Sequence, residues 1–221
     1  MEINQYIDHT LLKANARQND IVNLCNQAVQ YSFYAVCVNA SYVSLAKKQL
    51  KESSVQIATV VGFPLGAMTA EAKLFEAEQA LVNGATEIDM VINIGNLLDS
   101  KYKEVENEIC QLKTVVKNCI LKVIFENCYL SKEHIEIATQ LAINAGADFI
   151  KTSTGFGTAG VAFDDIVLMK KAAKNKIRIK AAGGIDSLET AQRYIRLGVD
   201  RLGTSSGVKL VTDKVTPKNS Y

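Results

Sequence analysis

The run Leu141-Ala142-Ile143-Asn144-Ala145-Gly146-Ala147-Asp148-Phe149-Ile150-Lys151-Thr152-Ser153 reads as a helix end, a glycine turn and a buried strand. Gly146 stands where a helix commonly ends in the left-handed conformation. The same helix–glycine–strand passage recurs at Asn83-Gly84-Ala85 and at Leu197-Gly198-Val199, at intervals of about two βα units. Working outward gives eight candidate strands: Tyr6–Leu11, Ala35–Val38, Gln56–Gly62, Glu87–Asn93, Leu121–Glu126, Phe149–Ser153, Arg178–Ala181 and Arg201–Thr204. Several are unbroken apolar runs, the pattern of parallel strands covered on both faces. Between them lie helical stripes such as Tyr102, Val105, Ile109, Leu112 and Val116, spaced as one buried helix face requires. Ser41, Thr69, Ser131, Asp164 and Ser187 stand at predicted N-caps.

This strict alternation also admits an open doubly wound sheet. Eight strands without a break in composition favour closure into an α/β, single-domain (β/α)8 TIM barrel spanning residues 1–221, with a short C-terminal tail from about residue 212. The chain has 221 residues, 48% hydrophobic and 22% charged, with two prolines, an ordinary globular profile. A formal charge of +2 with no run of basic residues argues against nucleic acid as a partner. No window approaches 18 uninterrupted apolar residues, so no membrane span is expected, and the first ten residues lack the pattern of a signal peptide. Five cysteines without C-x-x-C spacing suit reduced thiols in the cytoplasm, and two histidines leave little for a metal site.

Two familiar patterns are set aside. Gly155-Phe156-Gly157-Thr158-Ala159-Gly160 matches G-x-G-x-x-G, but the region where a dinucleotide site needs an acidic residue holds Lys180. These glycines are expected to form a flexible loop at the barrel mouth. Gly203-Thr204-Ser205-Ser206-Gly207 matches the nucleophile elbow G-x-S-x-G, yet the last histidine is His134, and that triad needs one after the serine. His9, beside Asp8, is expected to be a packing residue of the first strand.

Lysine inside an apolar strand is unusual, because burying an ammonium is costly. Lys151 and Lys180 are so placed, near the carboxyl ends of the sixth and seventh strands, and a carboxylate, Asp89, is so placed on the fourth. Barrel active sites form at those ends. Charges that merely snorkel outward would explain one of these residues; three together favour convergence on the axis. Such a set suits imine chemistry. The nucleophilic amine must be neutral although free lysine titrates near about pH 10.4, and both desolvation and a neighbouring ammonium favour the neutral form. A protonated imine then draws electrons from the adjacent bond without a metal or other cofactor, while Asp89 moves protons. The loops after the seventh and eighth strands, carrying Gly183-Gly184 and Gly203-Thr204-Ser205-Ser206, offer backbone N–H groups to a phosphate.

Ile7-Asp8-His9-Thr10-Leu11-Leu12, Val61-Gly62-Phe63-Pro64-Leu65-Gly66, Glu87-Ile88-Asp89-Met90-Val91-Ile92-Asn93, Asp148-Phe149-Ile150-Lys151-Thr152-Ser153-Thr154-Gly155-Phe156 and Lys180-Ala181-Ala182-Gly183-Gly184-Ile185 resemble the bacterial deoxyribose-phosphate aldolases, in register from about residue 6 to residue 210. The resemblance implies reversible cleavage of 2-deoxyribose 5-phosphate to glyceraldehyde 3-phosphate and acetaldehyde, in deoxyribonucleotide catabolism. It implies Lys151 as the Schiff-base lysine and Asp89 with Lys180 as the proton donor/acceptor pair. Gly155, Gly184, Ser205 and Ser206 fall on phosphate-loop positions, beside Gly183 and Gly203. Asp8, Thr10 and Cys37 fall near the pocket. Thr204 stands where the family often has alanine, and Tyr221 resembles a terminal tyrosine that reaches the site in some relatives. The partners expected are a small sugar phosphate and acetaldehyde, with a homodimer as the candidate assembly.

The same residues would serve another imine enzyme, a different sugar-phosphate aldolase or a transaldolase, separated by the donor it accepts. A non-catalytic sugar-phosphate sensor on the same barrel would bind ligand without turnover.

Overall fold

The computed structural model describes residues 2–213. The eight strands form one closed parallel barrel in sequence order, β1 (Ile7–Leu11), β2 (Ala35–Val38), β3 (Gln56–Val61), β4 (Glu87–Val91), β5 (Ile120–Ile124), β6 (Phe149–Lys151), β7 (Arg178–Ala182) and β8 (Arg201–Thr204). Around them run α1 (Gln18–Gln30), α2 (Val43–Gln49), α3 (Ala70–Val82), the short α4 (Ile94–Leu98), α5 (Tyr102–Val116), α6 (Lys132–Asn144), α7 (Phe163–Ala173), α8 (Leu188–Arg196) and a final turn α9 (Gly207–Thr212). β8 pairs with β1 at Asp8↔Gly203, which removes every sheet edge. The open-sheet alternative is thereby overturned.

Two apolar layers follow from the pleat. Ile88, Met90, Ile150 and Ile179 face outward into the layer shared with the helices, while Leu12, Cys37, Ala58 and Val60 form a small cluster of their own. Alternate residues of the strands, Asp8, Glu87, Asp89, Lys122, Lys151 and Lys180, are charged yet buried. Period two therefore separates an oily outside from an ionic axis.

Four strands, β3 to β6, end earlier at the mouth than their apolar runs suggested, while β7 runs one residue further, to Ala182. β4 stops at Val91 rather than Asn93, β5 at Ile124 rather than Glu126, and β6 at Lys151 rather than Ser153. Thr152, Ser153 and Thr154 are still buried, so composition does not mark where the ladder ends. The Thr152 hydroxyl continues the pairing to β7, donating to the Ala182 carbonyl at 3.2 Å and accepting from the Ala182 N–H at 3.1 Å.

Thr69, Ser131 and Ser187 cap α3, α6 and α8 as expected. Ser41 instead lies inside a 3-10 turn before α2, and Asp164 stands in the first turn of α7, where its charge complements the helix dipole; Ala162 occupies that N-cap. Gly84, Gly146 and Gly198 all have positive φ, as the helix ends predicted. α9 ends at Thr212; residues 214–221, on which the expected tail and Tyr221 fall, lie outside the described residues.

Candidate active site

The register of the barrel assembles the charged cluster. Asp89 stands opposite Lys122 across β4 and β5, and Lys151 opposite Lys180 across β6 and β7. In-register neighbours on parallel strands point to the same side, so these four share the axis. One oxygen of Asp89 takes both catalytic candidates, Lys151 Nζ at 2.9 Å and Lys180 Nζ at 2.8 Å. The other accepts from Lys122 Nζ at 2.7 Å. Asp8, from β1, completes the network: its Oδ2 accepts from Lys180, and its Oδ1 from the Arg201 guanidinium at 3.0 Å. Lys122 also pairs with Glu87 at 2.5 Å.

Electrostatics in this cluster oppose burial. Burial alone would raise the Asp89 carboxyl, but the ammoniums of Lys122, Lys151 and Lys180 hold it well below the usual carboxylate range. Asp8 is likewise pushed down, Lys180, Lys122 and Arg201 outweighing its desolvation. For Lys180 desolvation is overcome by Asp8 and Asp89, which push its ammonium above the ordinary range, and Lys122 is raised by Asp89 and Glu87 against the same penalty. Lys180 and Lys122 are therefore held in the ammonium form at rest.

A cavity of about 370 Å³ opens above this cluster. Of the three axial lysines, Lys151 is the one that lines it. Gly155, Gly183, Gly184, Gly203, Ser205 and Ser206, expected to hold a phosphate, line the same cavity, as do Thr10 and Lys13. Gly155 and Gly184 have positive φ, and a Cβ on either would meet no protein atom within 4 Å. Both present bare backbone to open space. Thr204 bridges two of the loops: its hydroxyl donates to the Ile185 carbonyl at 2.6 Å and accepts from the Ser206 N–H at 2.9 Å. The Ser206 N–H is thus already engaged within the loop.

The Gly155–Gly160 loop does lie at the mouth, but it is close-packed rather than loose. A Cβ at Gly157 would come within 2.7 Å of the Cys128 sulfur, and one at Gly160 within 2.3 Å of the Gly183 carbonyl oxygen. Cys37 is fully buried beneath the cavity, and burial pushes its thiol up, so it carries no thiolate. His9 points away, toward α1, its Nε2 2.8 Å from Gln27 Oε1 and its ring against Phe33, as a packing residue should.

Lysine inside an apolar strand occurs three times, not twice. Lys122, in Leu121-Lys122-Val123, obeys the same rule that singled out Lys151 and Lys180, and Glu87 lies two residues before Asp89 on the same face. Arg201 opens β8 and reaches the axis from its far end. Among the described residues no group of three or more His, Cys, Asp and Glu side chains is arranged to hold a metal ion.

Residues 3–210 match the model of the DeoC/LacD aldolase family. The chain is 51% identical to the deoxyribose-phosphate aldolase of Finegoldia magna over 96% of this chain and 99% of that one. It is 48% identical to the enzyme of the same name from Mycoplasma capricolum over 99% of each. The deoxyribose phosphate aldolase of Aeropyrum pernix, solved as a tetramer, superposes with a TM-score of 0.89 at 32% identity over 95% of this chain and 89% of that one. By family model, identity and fold alike, this chain belongs to the DeoC/LacD family of aldolases and is a lyase.

Proposed function

We propose that this chain reversibly cleaves 2-deoxy-D-ribose 5-phosphate to D-glyceraldehyde 3-phosphate and acetaldehyde through an imine on Lys151, within deoxyribonucleotide catabolism. The observation that carries the reading is the position of Lys151: it faces the cavity, whereas Lys122 and Lys180 lie below, each pinned between carboxylates. Three carboxylates, Asp8, Glu87 and Asp89, face three further cations, Lys122, Lys180 and Arg201.

In the forward direction the Lys151 amine adds to the C1 aldehyde of the open-chain sugar, and loss of water leaves the protonated imine. A base removes the proton from the C3 hydroxyl, the C2–C3 bond breaks, and its electron pair enters the imine to give an enamine. Glyceraldehyde 3-phosphate leaves; protonation at C2 and hydrolysis then release acetaldehyde and restore the amine. Asp89 and Lys180 form the proton relay, the carboxylate accepting and the ammonium donating. Gly155, Gly183, Gly184, Gly203 and the hydroxyls of Ser205 and Ser206 hold the phosphate. No cofactor enters these steps. Unpaired thiols at all five cysteines support a cytoplasmic setting, no helix among the described residues is long and apolar enough to cross a membrane, and a homodimer is the assembly we favour.

The test is reductive trapping. Incubated with acetaldehyde and borohydride in EDTA, the protein gains a two-carbon adduct that peptide mapping places on Lys151. An adduct on Lys180 or Lys122, or none, removes the assignment.

A further inference from the structure

Glu126 has no part in the chemistry above, yet its placement is unusual. It follows β5 at the mouth of the barrel, with φ 56° and ψ 64°, the left-handed conformation that a residue with a side chain adopts only where its surroundings enforce it. Its side chain is turned in from solvent, the residue being 2% exposed. A carboxylate so placed ordinarily sits beside a cation; among the described residues no ion pair reaches this one.

Both hydrogen bonds of the carboxylate go to Thr154. Oε1 accepts from the Thr154 N–H at 3.2 Å, and Oε2 accepts from the Thr154 hydroxyl. That hydroxyl in turn accepts from the Phe156 N–H at 3.0 Å. Glu126 therefore fixes both flanks of Gly155, the cavity-lining residue between them. Gly157 completes the fit, since a Cβ there would press to 3.0 Å from the Glu126 carboxyl carbon. One residue on, the Asn127 N–H donates to the Thr152 carbonyl at 2.9 Å. The turn after β5 thus grips the loop after β6 from the point where Lys151 ends to the point where the cavity wall turns outward.

We infer that Glu126 is a positioning residue for the phosphate half of the substrate: through Thr154 it sets Gly155 and Phe156, and thereby affinity for the phosphorylated sugar, without acting on imine formation. This rests on the reading that Lys151 forms the imine and that the phosphate lies against the glycine loops. Lys151 itself is held from Asp89, outside this grip, so the two functions are separable.

The experiment compares the parent chain with Glu126→Ala, Glu126→Gln, Thr154→Val and, as a comparator for a damaged phosphate anchor, Gly184→Val. Acetaldehyde trapping at Lys151 reads the imine step, and urea unfolding reports that each variant is folded. KM and kcat are measured for 2-deoxyribose 5-phosphate and for unphosphorylated 2-deoxyribose. Glu126→Ala should trap acetaldehyde like the parent while KM for the phosphorylated sugar rises about tenfold, the effect of leaving the buried Thr154 N–H and hydroxyl without their acceptors. Its KM for deoxyribose stays level, as in Gly184→Val. Glu126→Gln, which keeps an acceptor for the Thr154 N–H, recovers most of the loss, and Thr154→Val reproduces it. Equal rises in KM for both sugars, or loss of trapping in the folded Glu126→Gln and Thr154→Val proteins, overturns the inference. Failure of the parent chain to trap acetaldehyde at Lys151 instead overturns the reading of the reaction, before any variant is compared.

Discussion

At the scale of single residues, the three axial lysines are distinguished by what they touch. Lys180 binds Asp8 and Asp89, Lys122 binds Asp89 and Glu87, and Lys151 binds Asp89 while facing the cavity. Replacing Lys180 by Met removes the ammonium shared by Asp8 and Asp89 but leaves the nucleophile in place. Turnover of 2-deoxyribose 5-phosphate should fall about 10²- to 10⁴-fold, the usual contribution of a positioned proton donor, while acetaldehyde is still trapped on Lys151. Steady-state rates and peptide mapping of the variant check this; an unchanged rate would assign Lys180 to structure alone. Lys151, Asp89 and Lys180 could be picked from the sequence because a charge within an apolar strand contradicts its neighbours. Lys122 carries the same contradiction, in Leu121-Lys122-Val123, and lies two residues before the end of β5 as Lys180 does before the end of β7, so the same rule marks it too. Glu126 could not be found that way. Its role depends on a left-handed backbone and on a contact with Thr154, 28 residues away, neither of which periodicity encodes.

Elements meet through a second buried ion pair that has nothing to do with the axis. Lys73 of α3 donates to Glu108 of α5 at 2.6 Å and to the Val91 carbonyl at the end of β4 at 2.8 Å, and Glu108 accepts from the Asn93 N–H at 3.3 Å. Burial pushes Lys73 down and Glu108 up, each toward its neutral form and each only partly countered by the other. The pair thus locks α3 and α5 to the strand that carries Asp89 at a desolvation cost. Lys73→Met alone, which leaves a buried carboxylate without its cation, should destabilise the fold by about 3–5 kcal/mol. Adding Glu108→Leu should recover much of that loss, and urea unfolding of the two single variants and the double gives the coupling. Losses that simply add would mean the two side chains do not act as a pair. The stripe read on α5 contained Tyr102, Val105, Ile109, Leu112 and Val116, the last four buried and Tyr102 half-buried, but not Glu108, which is buried on the same side. A polar residue within a buried stripe is invisible to a count of apolar positions. Strand ends were blurred for a related reason, because the residues that follow β4, β5 and β6 stay buried after the ladder stops.

For the whole molecule, the ionic axis and His9 predict how stability follows pH. Asp8 and Asp89 have depressed carboxyl pKa values in the fold, so their contribution is complete above the unfolded value of about 3.9 and is lost only as pH falls below it toward the folded values. Lys122, Lys180 and Arg201 are raised, so what they contribute is complete below the unfolded values and is lost only as the solution becomes strongly alkaline, lysine titrating at about 10.4 when unfolded. The axis is therefore silent in the range between. His9 is not. Burial pushes its imidazole down, against its hydrogen bond to Gln27, so below about pH 6.5 the unfolded chain takes up a proton that the fold resists. Through His9, stability should decline as pH falls from about 6.5 to 5, with a slope no steeper than about 1.4 kcal/mol per pH unit for one group, a decline that the raised carboxyl of Glu108 opposes. The other histidine, His134, sits at the start of α6 beside its cap Ser131, outside the barrel. His9→Leu, which fills the same space against Phe33, should therefore flatten the curve between pH 6.5 and 5 and leave the steeper loss below pH 4 in place. Urea midpoints at half-unit pH steps, for the parent and for His9→Leu, make the comparison. If the slope persists without His9, a different group carries it, and the acid response cannot be attributed to this buried imidazole.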